Sequence, residues 1–376
     1  MPASLSMQSQ RKGFVASSSL ALVALAMVFA LVGCTPPHAE NTTAGEIPSV
    51  TPATFTADDQ PKGHVSADLP DVDPQVLVED PKPQFPATVT TVVKQAEGDN
   101  PAVTEEIEVE KADRILTLDR AGSLSRIVWA FGMGDRLVGR DTSTDFPGVE
   151  DLPLVTQGGH SVNPEVVMSL NPDLIITDGS VGPSQVVANL ESAGVTVVRV
   201  EQDHTPSTIG ELITDVGSAI GLADDTAEVI STVNERLQQA TEEAHEKADG
   251  RKMMMLYVRG TGVAMIAGPE SGARELIQRL GGVDAGEGIG ISGAWTPLTP
   301  EALINAAPDT FIVMTGGLES VGGIDGLREV PGVSQTPAGE NGSVLDVPDS
   351  QLLSFGTQTP QVLQAMANAL YGTDAN

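Results

Sequence analysis

Two similar α/β lobes joined by one long bridging helix, with a ligand cleft between them, form the fold class that the sequence predicts. Three observations carry it. Short apolar strands alternate with helices from residue 114 onward. A polar helix of about 24 residues, near positions 225–248, interrupts that alternation midway. A pattern that starts at Asn163 returns 136 positions later at Thr299.

The elements follow in chain order. Residues 114–118 make a short strand, and residues 121–131 a helix with Leu124, Ile127, Val128 and Phe131 on one face. A second strand is expected over 136–139. Pro172 and Asp173 introduce the buried strand 174–177; a helix over 184–192 and a β-branched strand over 195–200 follow. Strands alternating with helices imply a mainly parallel sheet covered on both faces. Next come a helix over 207–220, stopped at Gly221, and the long helix, which starts at Asp224 or Asp225 and is closed by Gly250. At 1.5 Å per residue it spans about 36 Å, enough to cross between lobes. A strand over 252–258 opens the second lobe. The expected extents are 112–205 for the first lobe, 206–249 for the helical connection and 250–376 for the second lobe.

The repeat sharpens this picture. Asn163-Pro-Glu165 is followed by Pro172-Asp173 and an apolar strand; Thr299-Pro-Glu301 is followed, at equal spacing, by Pro308-Asp309 and another. Asn or Thr caps a helix, Pro occupies its first position, and Glu complements the dipole in its first turn. A cap-Pro-Glu start is common by itself. The matched Pro-Asp-strand after it points to duplication, and two related lobes leave a cleft where ligands bind.

Composition excludes several functions. With net charge −31, the chain lacks the basic footprint that phosphate contacts need, so no nucleic-acid partner is expected. One Cys supports neither a disulfide nor a multi-Cys metal site. No Ser-His-Asp set, phosphate loop or nucleotide motif suggests an enzyme. Arg11 and Lys12 precede an apolar run over 14–32, as in a secretory signal of residues 1–33. Leu31-Val32-Gly33-Cys34 resembles the bacterial lipobox, which implies that Cys34 carries a lipid and anchors the chain on the outer face of the cytoplasmic membrane. Residues 35–110 hold 11 of the 26 Pro and have net charge −12, so 34–111 is expected to be a disordered acidic tether, about 250 Å long if extended. His38 and His64 fall within it as solvated bystanders.

The lipobox, tether and paired lobes together resemble the substrate-binding lipoproteins of ABC importers, in the subclass whose lobes are bridged by one rigid helix. That subclass serves iron-chelate, corrinoid and haem uptake. Gly158-Gly-His160 and Tyr257-Val-Arg259, with Arg114-Ile-Leu-Thr-Leu118, are similar to haem-binding members of the HmuT type. The resemblance implies ferric haem as cargo, a monomer, an ABC permease with its ATPase as partners, and upstream surface haem-binding proteins as donors. It also implies that Glu165 and Glu301 dock on the permease. A ferric siderophore or corrinoid is the alternative cargo; a haem peroxidase and a ligand-free structural lipoprotein are further alternatives.

The candidate ligands are few. His160 lies on a loop between elements; a plain surface-loop His is its alternative. Tyr257 ends a strand, where a core aromatic is the alternative. Arg259, two residues on, shares its face and is placed to donate to the phenolic oxygen. An Arg beside a core Tyr would instead need its own carboxylate. Imidazole and phenolate together would fill both axial positions of ferric haem. His204 is expected to be exposed at a helix start and His245 to lie on a solvated helix face. Met133, Phe146, Met265 and Trp295 are candidates for the apolar wall, and Tyr371 for packing.

Overall fold

Three strands precede the first predicted one. In the computed structural model, which describes residues 44–67, 69, 74–97, 100–202, 205–260 and 262–372, β1 (His64–Ser66), β2 (Ala87–Lys94) and β3 (Val103–Val109) lie inside the Pro-rich acidic stretch. The expectation of a disordered tether is wrong for the described part of it. The reason is local. Val89 and Thr91 share the inward face of β2, and Val92 and, in β3, Val109 are buried as well. The backbone finds partners on the body: Ala53 N–H donates to Gly250, Leu77 and Val78 N–H to Ala130, and Gln84 N–H to Gly221. Cys34, His38 and His204 lie outside the described residues.

The first lobe contains β4 (Ile115–Leu118), α1 (Ser123–Ala130), β5 (Thr156–Gln157), β6 (Ser161–Val162), α2 (Pro164–Leu170), β7 (Leu174–Thr177), α3 (Ser184–Ser192) and β8 (Thr196–Arg199). Strands β4, β7 and β8 form a parallel sheet in which Ile115, Leu174 and Thr196 stand abreast. Every residue of β4 and β7 is buried, as in a sheet covered on both faces. The predicted strand at 136–139 is not one. A 3₁₀ turn at Gly134–Arg136 redirects the chain, and only a single bridge, Leu137 to Ile115, joins it to β4.

Helices α4 (Ile209–Ala219) and α5 (Thr226–Lys247) make the connection. The 22 residues of α5 span about 33 Å. Its cap is Ala248 rather than Gly250. Gly250 has φ +70° and lies against the Thr51 carbonyl, where a Cβ would come within 2.4 Å. Glycine there serves the docking of the amino-terminal arm.

The second lobe runs through β9 (Lys252–Arg259), β10 (Val263–Ala267), α6 (Ala273–Arg279), β11 (Val283–Asp284), β12 (Trp295–Pro297), α7 (Pro300–Ala306), β13 (Thr310–Met314), α8 (Thr315–Val321), α9 (Gly323–Arg328), α10 (Pro337–Asn341), β14 (Val344–Val347), α11 (Asp349–Leu352) and α12 (Thr359–Tyr371). The strand order is β1-β14-β13-β9-β10-β12, with β11 also on β9. The central strands are parallel, while β10 and β12 join antiparallel. Strand β1 is a parallel addition to the β14 edge. There His64 Nε2 lies 2.6 Å from the buried Asp346 carboxylate, which also accepts from Ser66 and Thr315. His64 is thus no bystander. Nor does His245 face only solvent: its Nε2 is 2.8 Å from the Gln278 carbonyl at the end of α6.

Apolar side chains gather in three clusters. One lies in the outer first lobe around Leu116, Ile175 and Val197. A second lies in the outer second lobe around Leu256, Phe311 and Val313. The third is shared, taking Ile127 and Val128 of α1, Val216 of α4, Leu237 of α5, Met255 of β9 and Leu363 of α12. The connection is therefore packed into the body along its length. Tyr371 packs as expected, its hydroxyl donating to the Leu280 carbonyl at 2.9 Å.

The repeat extends to the backbone. Asn163 and Thr299 cap α2 and α7 through their side chains. Among the described residues, the non-glycine positions with positive φ are Asn171 (50°) and Ala307 (45°), also 136 apart, and each ends its helix. The next Asp then accepts from the backbone where the neighbouring strand begins: Asp173 from Arg114 N–H at 3.0 Å, Asp309 from Lys252 N–H at 2.8 Å.

Candidate ligand-binding site between the lobes

A cavity of about 810 Å³ opens where the strands of both lobes end. That volume lies within the roughly 300–1,000 Å³ of small-molecule pockets. From the first lobe come Arg120, just past β4, Thr142 and Ser143 of the next loop, and His160. From the second come Tyr257 and Arg259 of β9, Met265 of β10, Trp295 of β12 and Met314 of β13. Asp349 and Leu353 lie after β14. The carboxyl ends of strands in α/β sheets are where ligands bind, because the loops there are free of the sheet.

His160 is presented by the tip of the β5–β6 hairpin. Gln157 pairs with Ser161, leaving Gly158, Gly159 and His160 to turn. Gly158 and Gly159 have φ of 56° and 95°, which side-chained residues rarely adopt. The Thr142 hydroxyl ties the Gly159 carbonyl at 2.7 Å. The imidazole Nδ1 is buried without a hydrogen-bond partner. Burial, and then the nearby Arg120 guanidinium, hold the ring below its usual pKa, so it is neutral at neutral pH. A neutral, unpartnered imidazole facing a cavity is suited to ligate a metal carried by a ligand.

Tyr257 projects from β9, and its ring meets Trp295 edge-on, with centroids 5.7 Å apart. Arg259 shares its face, as the strand period demands. Its guanidinium carbon lies over the Tyr257 ring, 4.9 Å from the centroid, and its Nη2 pairs with Asp349. The expected donation to the phenolic oxygen is replaced by stacking over the ring, with the charge taken by a carboxylate. Gly317 makes room for this, since a Cβ there would lie 2.5 Å from Arg259 Nη1.

Of the four wall candidates, Met265 and Trp295 line the cavity, while Met133 and Phe146 are buried in the core. Met314 and Arg120 were missed. Arg120 donates through Nε to the Ser180 carbonyl at 2.8 Å, which directs an otherwise exposed cation along the first-lobe wall. Its position directly after the apolar strand was the available signal. Behind it, Asp119, Asp141 and Asp178 are buried together. Asp141 accepts from the backbone N–H of Asp119, Ser143 and Thr144, and Asp119 from Ser123 N–H, so these carboxyls shape the loops of the wall. Among the described residues, no group of three or more His, Cys, Asp or Glu is arranged to hold a metal ion.

Paired α/β lobes that enclose a cavity and share a long connecting helix define a two-lobed ligand-binding protein. More narrowly, the chain belongs to the periplasmic binding protein family, which matches residues 120–351. Its fold is that of the substrate-binding proteins of ABC importers. It is similar to the solved heme binding protein HmuT, with 36% identity and TM-score 0.73 over 83% of this chain and 98% of that one. HmuT has also been solved with a Tyr, a His and an Arg each replaced by Ala, and there the Arg follows the Tyr by two residues, as Arg259 follows Tyr257. An ABC transporter substrate-binding lipoprotein of Bacillus subtilis (strain 168), YvrC, is 25% identical over 66% of this chain and 77% of its own length. The vitamin B12-binding protein of Vibrio cholerae is 31% identical over 28% of this chain and 36% of its own.

Proposed function

We propose that this chain captures ferric haem between its lobes and delivers it to an ABC permease and its ATPase. The observation that carries the reading is the placement of His160 and Tyr257 on opposite lobes of one cavity. Imidazole from one side and phenolate from the other complete the two axial positions of ferric iron. Arg259 stacks on the phenol and holds its ring in place. Arg120 supplies a cation for the haem carboxylates, which the net charge of the chain does not attract. Met265, Met314 and Trp295 are the apolar walls. The similarity to HmuT, solved with a His, a Tyr and an Arg replaced, supports the roles of His160, Tyr257 and Arg259.

The same proposal includes a lipid at Cys34. Nine residues, 35–43, lie between Cys34 and Ala44, where the described residues begin, and they reach at most about 35 Å. Glu165 and Glu301, exposed on the first turns of α2 and α7, are the contacts with the permease.

The vitamin B12-binding relative supports a corrinoid as the second reading. Parallel titrations of the purified chain with haemin, a ferric siderophore and a corrinoid separate the two. The proposal expects saturable one-to-one binding of haemin and at least about a hundredfold weaker binding of the others. Tighter binding of either competitor overturns it.

A further inference from the structure

Helices α2 and α7 share a surface as well as a fold. Counting from Glu165 and from Glu301, both read exposed, half-buried, buried, exposed, exposed. The inward residues, Val167 and Leu303, belong to the lobe cores. The outward ones are Glu165, Met168 and Ser169 in one lobe and Glu301, Ile304 and Asn305 in the other.

The outward acids have a folding role, because each complements a helix dipole. Met168 and Ile304 have none: they are 48% and 40% exposed, so folding removes little of their surface from water. Seven large apolar side chains are exposed among the described residues, and two of them occupy this one repeat position. Each stands three residues after its Glu, on the same helical face. Both repeats therefore hold an acid and a bulky apolar group side by side, outside both cores.

We infer that each lobe presents a paired acid-and-apolar docking spot, and that the two spots engage the two equivalent halves of a two-fold-symmetric permease. The inference rests on the docking role proposed for Glu165 and Glu301, and adds the apolar half. An ion pair left in water contributes little. An apolar side chain that closes over it against the partner excludes water and strengthens it. Each permease half must then offer a cation next to an apolar surface. The internal repeat of this chain supplies two similar spots, which is what a partner with two identical faces requires.

The test uses the whole chain and its ABC permease–ATPase complex reconstituted in lipid nanodiscs. Met168→Gln with Ile304→Gln should weaken binding to the nanodiscs about tenfold or more while keeping its salt dependence. Glu165→Gln with Glu301→Gln should weaken it and flatten the salt dependence. Val103→Gln, at an exposed apolar site on β3, should change nothing. Haemin titrations should be the same for all variants. If the Met168/Ile304 variant binds as tightly as the Val103 control while the Glu variant is weakened, the apolar half falls and the docking reading stands. If the Glu variant also binds normally, both fall. If the unaltered chain is a dimer without transporter and the Met168/Ile304 variant is a monomer, the spots serve self-association and the inference is overturned.

Discussion

Arg259 covers the ring of Tyr257, and Asp349 holds its charge. The cation is thereby fixed over the aromatic face, while the phenolic edge of Tyr257 is left for the cavity. Such a neighbour positions a metal ligand without touching the metal, and its loss typically weakens binding by 10–100-fold. Arg259→Ala should therefore weaken haemin binding about tenfold while the Tyr-ligated ferric spectrum survives. Loss of that spectrum would make Arg259 part of the ligand set itself.

The space for Arg259 comes from Gly317. Gly317→Ala puts a methyl group 2.5 Å from the present place of Nη1 and 2.9 Å from the Val258 carbonyl, so the guanidinium and the end of β9 must both give way. Haemin affinity should fall as it does in Arg259→Ala, and the double variant should be no worse than either alone. Additive losses, measured in the same titration, would show that the two act separately.

Burial beneath the first-lobe wall makes stability depend on pH. Burial, and then the charges of Asp141 and Asp178, push Asp119 well above the usual carboxylate range; burial pushes Asp141 up to about 6. A carboxyl whose folded pKa is raised stabilises the fold below its unfolded value, and that contribution is lost as pH rises through the folded value. Tm should therefore increase on going from pH 7.5 to pH 5.5, and Asp119→Asn should reduce the increase. His160 acts in the opposite sense, since its lowered pKa favours the neutral ring and costs stability as pH falls below about 6.5. Thermal melts of the unaltered chain, Asp119→Asn and His160→Ala across this range check both signs.

Asp346 anchors the amino-terminal arm. Burial would raise its carboxyl, but hydrogen bonds from Ser66, Thr315 and His64 prevail and hold it below the usual range. Asp346→Asn should cost about 1.5–3 kcal/mol in urea unfolding, because hydrogen bonds to a charged group are lost. The arm should also become more sensitive to protease around β1. An unchanged cleavage pattern would mean that Asp346 does not hold the strand.

The lobes were legible because their signals are local and repeated: cap, Pro, Glu, Pro-Asp and apolar strand recur in Asn163–Asp173 order at Thr299. That His160, Tyr257 and Arg259 line one cavity was legible because His and Tyr are scarce and Arg259 stands two residues from Tyr257 on the same strand face. The arm was not. Its Pro and acidic residues match a disordered composition, and β1 contributes three residues whose partner, β14, lies 280 positions away. Pairing with so distant an edge leaves no mark in a local pattern. Asp349, which decides how Arg259 sits, was missed for the same reason, being 90 residues from it.

The central claim is that His160 and Tyr257 bind one iron from opposite lobes. Its most direct test is the absorption and electron paramagnetic resonance of the ferric haemin complex, using the chain from Asn41 onward, which forms one compact unit. The account predicts a six-coordinate ferric species in the unaltered chain. Tyr257→Phe should lose the phenolate-to-iron band, and His160→Ala should keep it in a five-coordinate species. Spectra that are unchanged in both variants would contradict it.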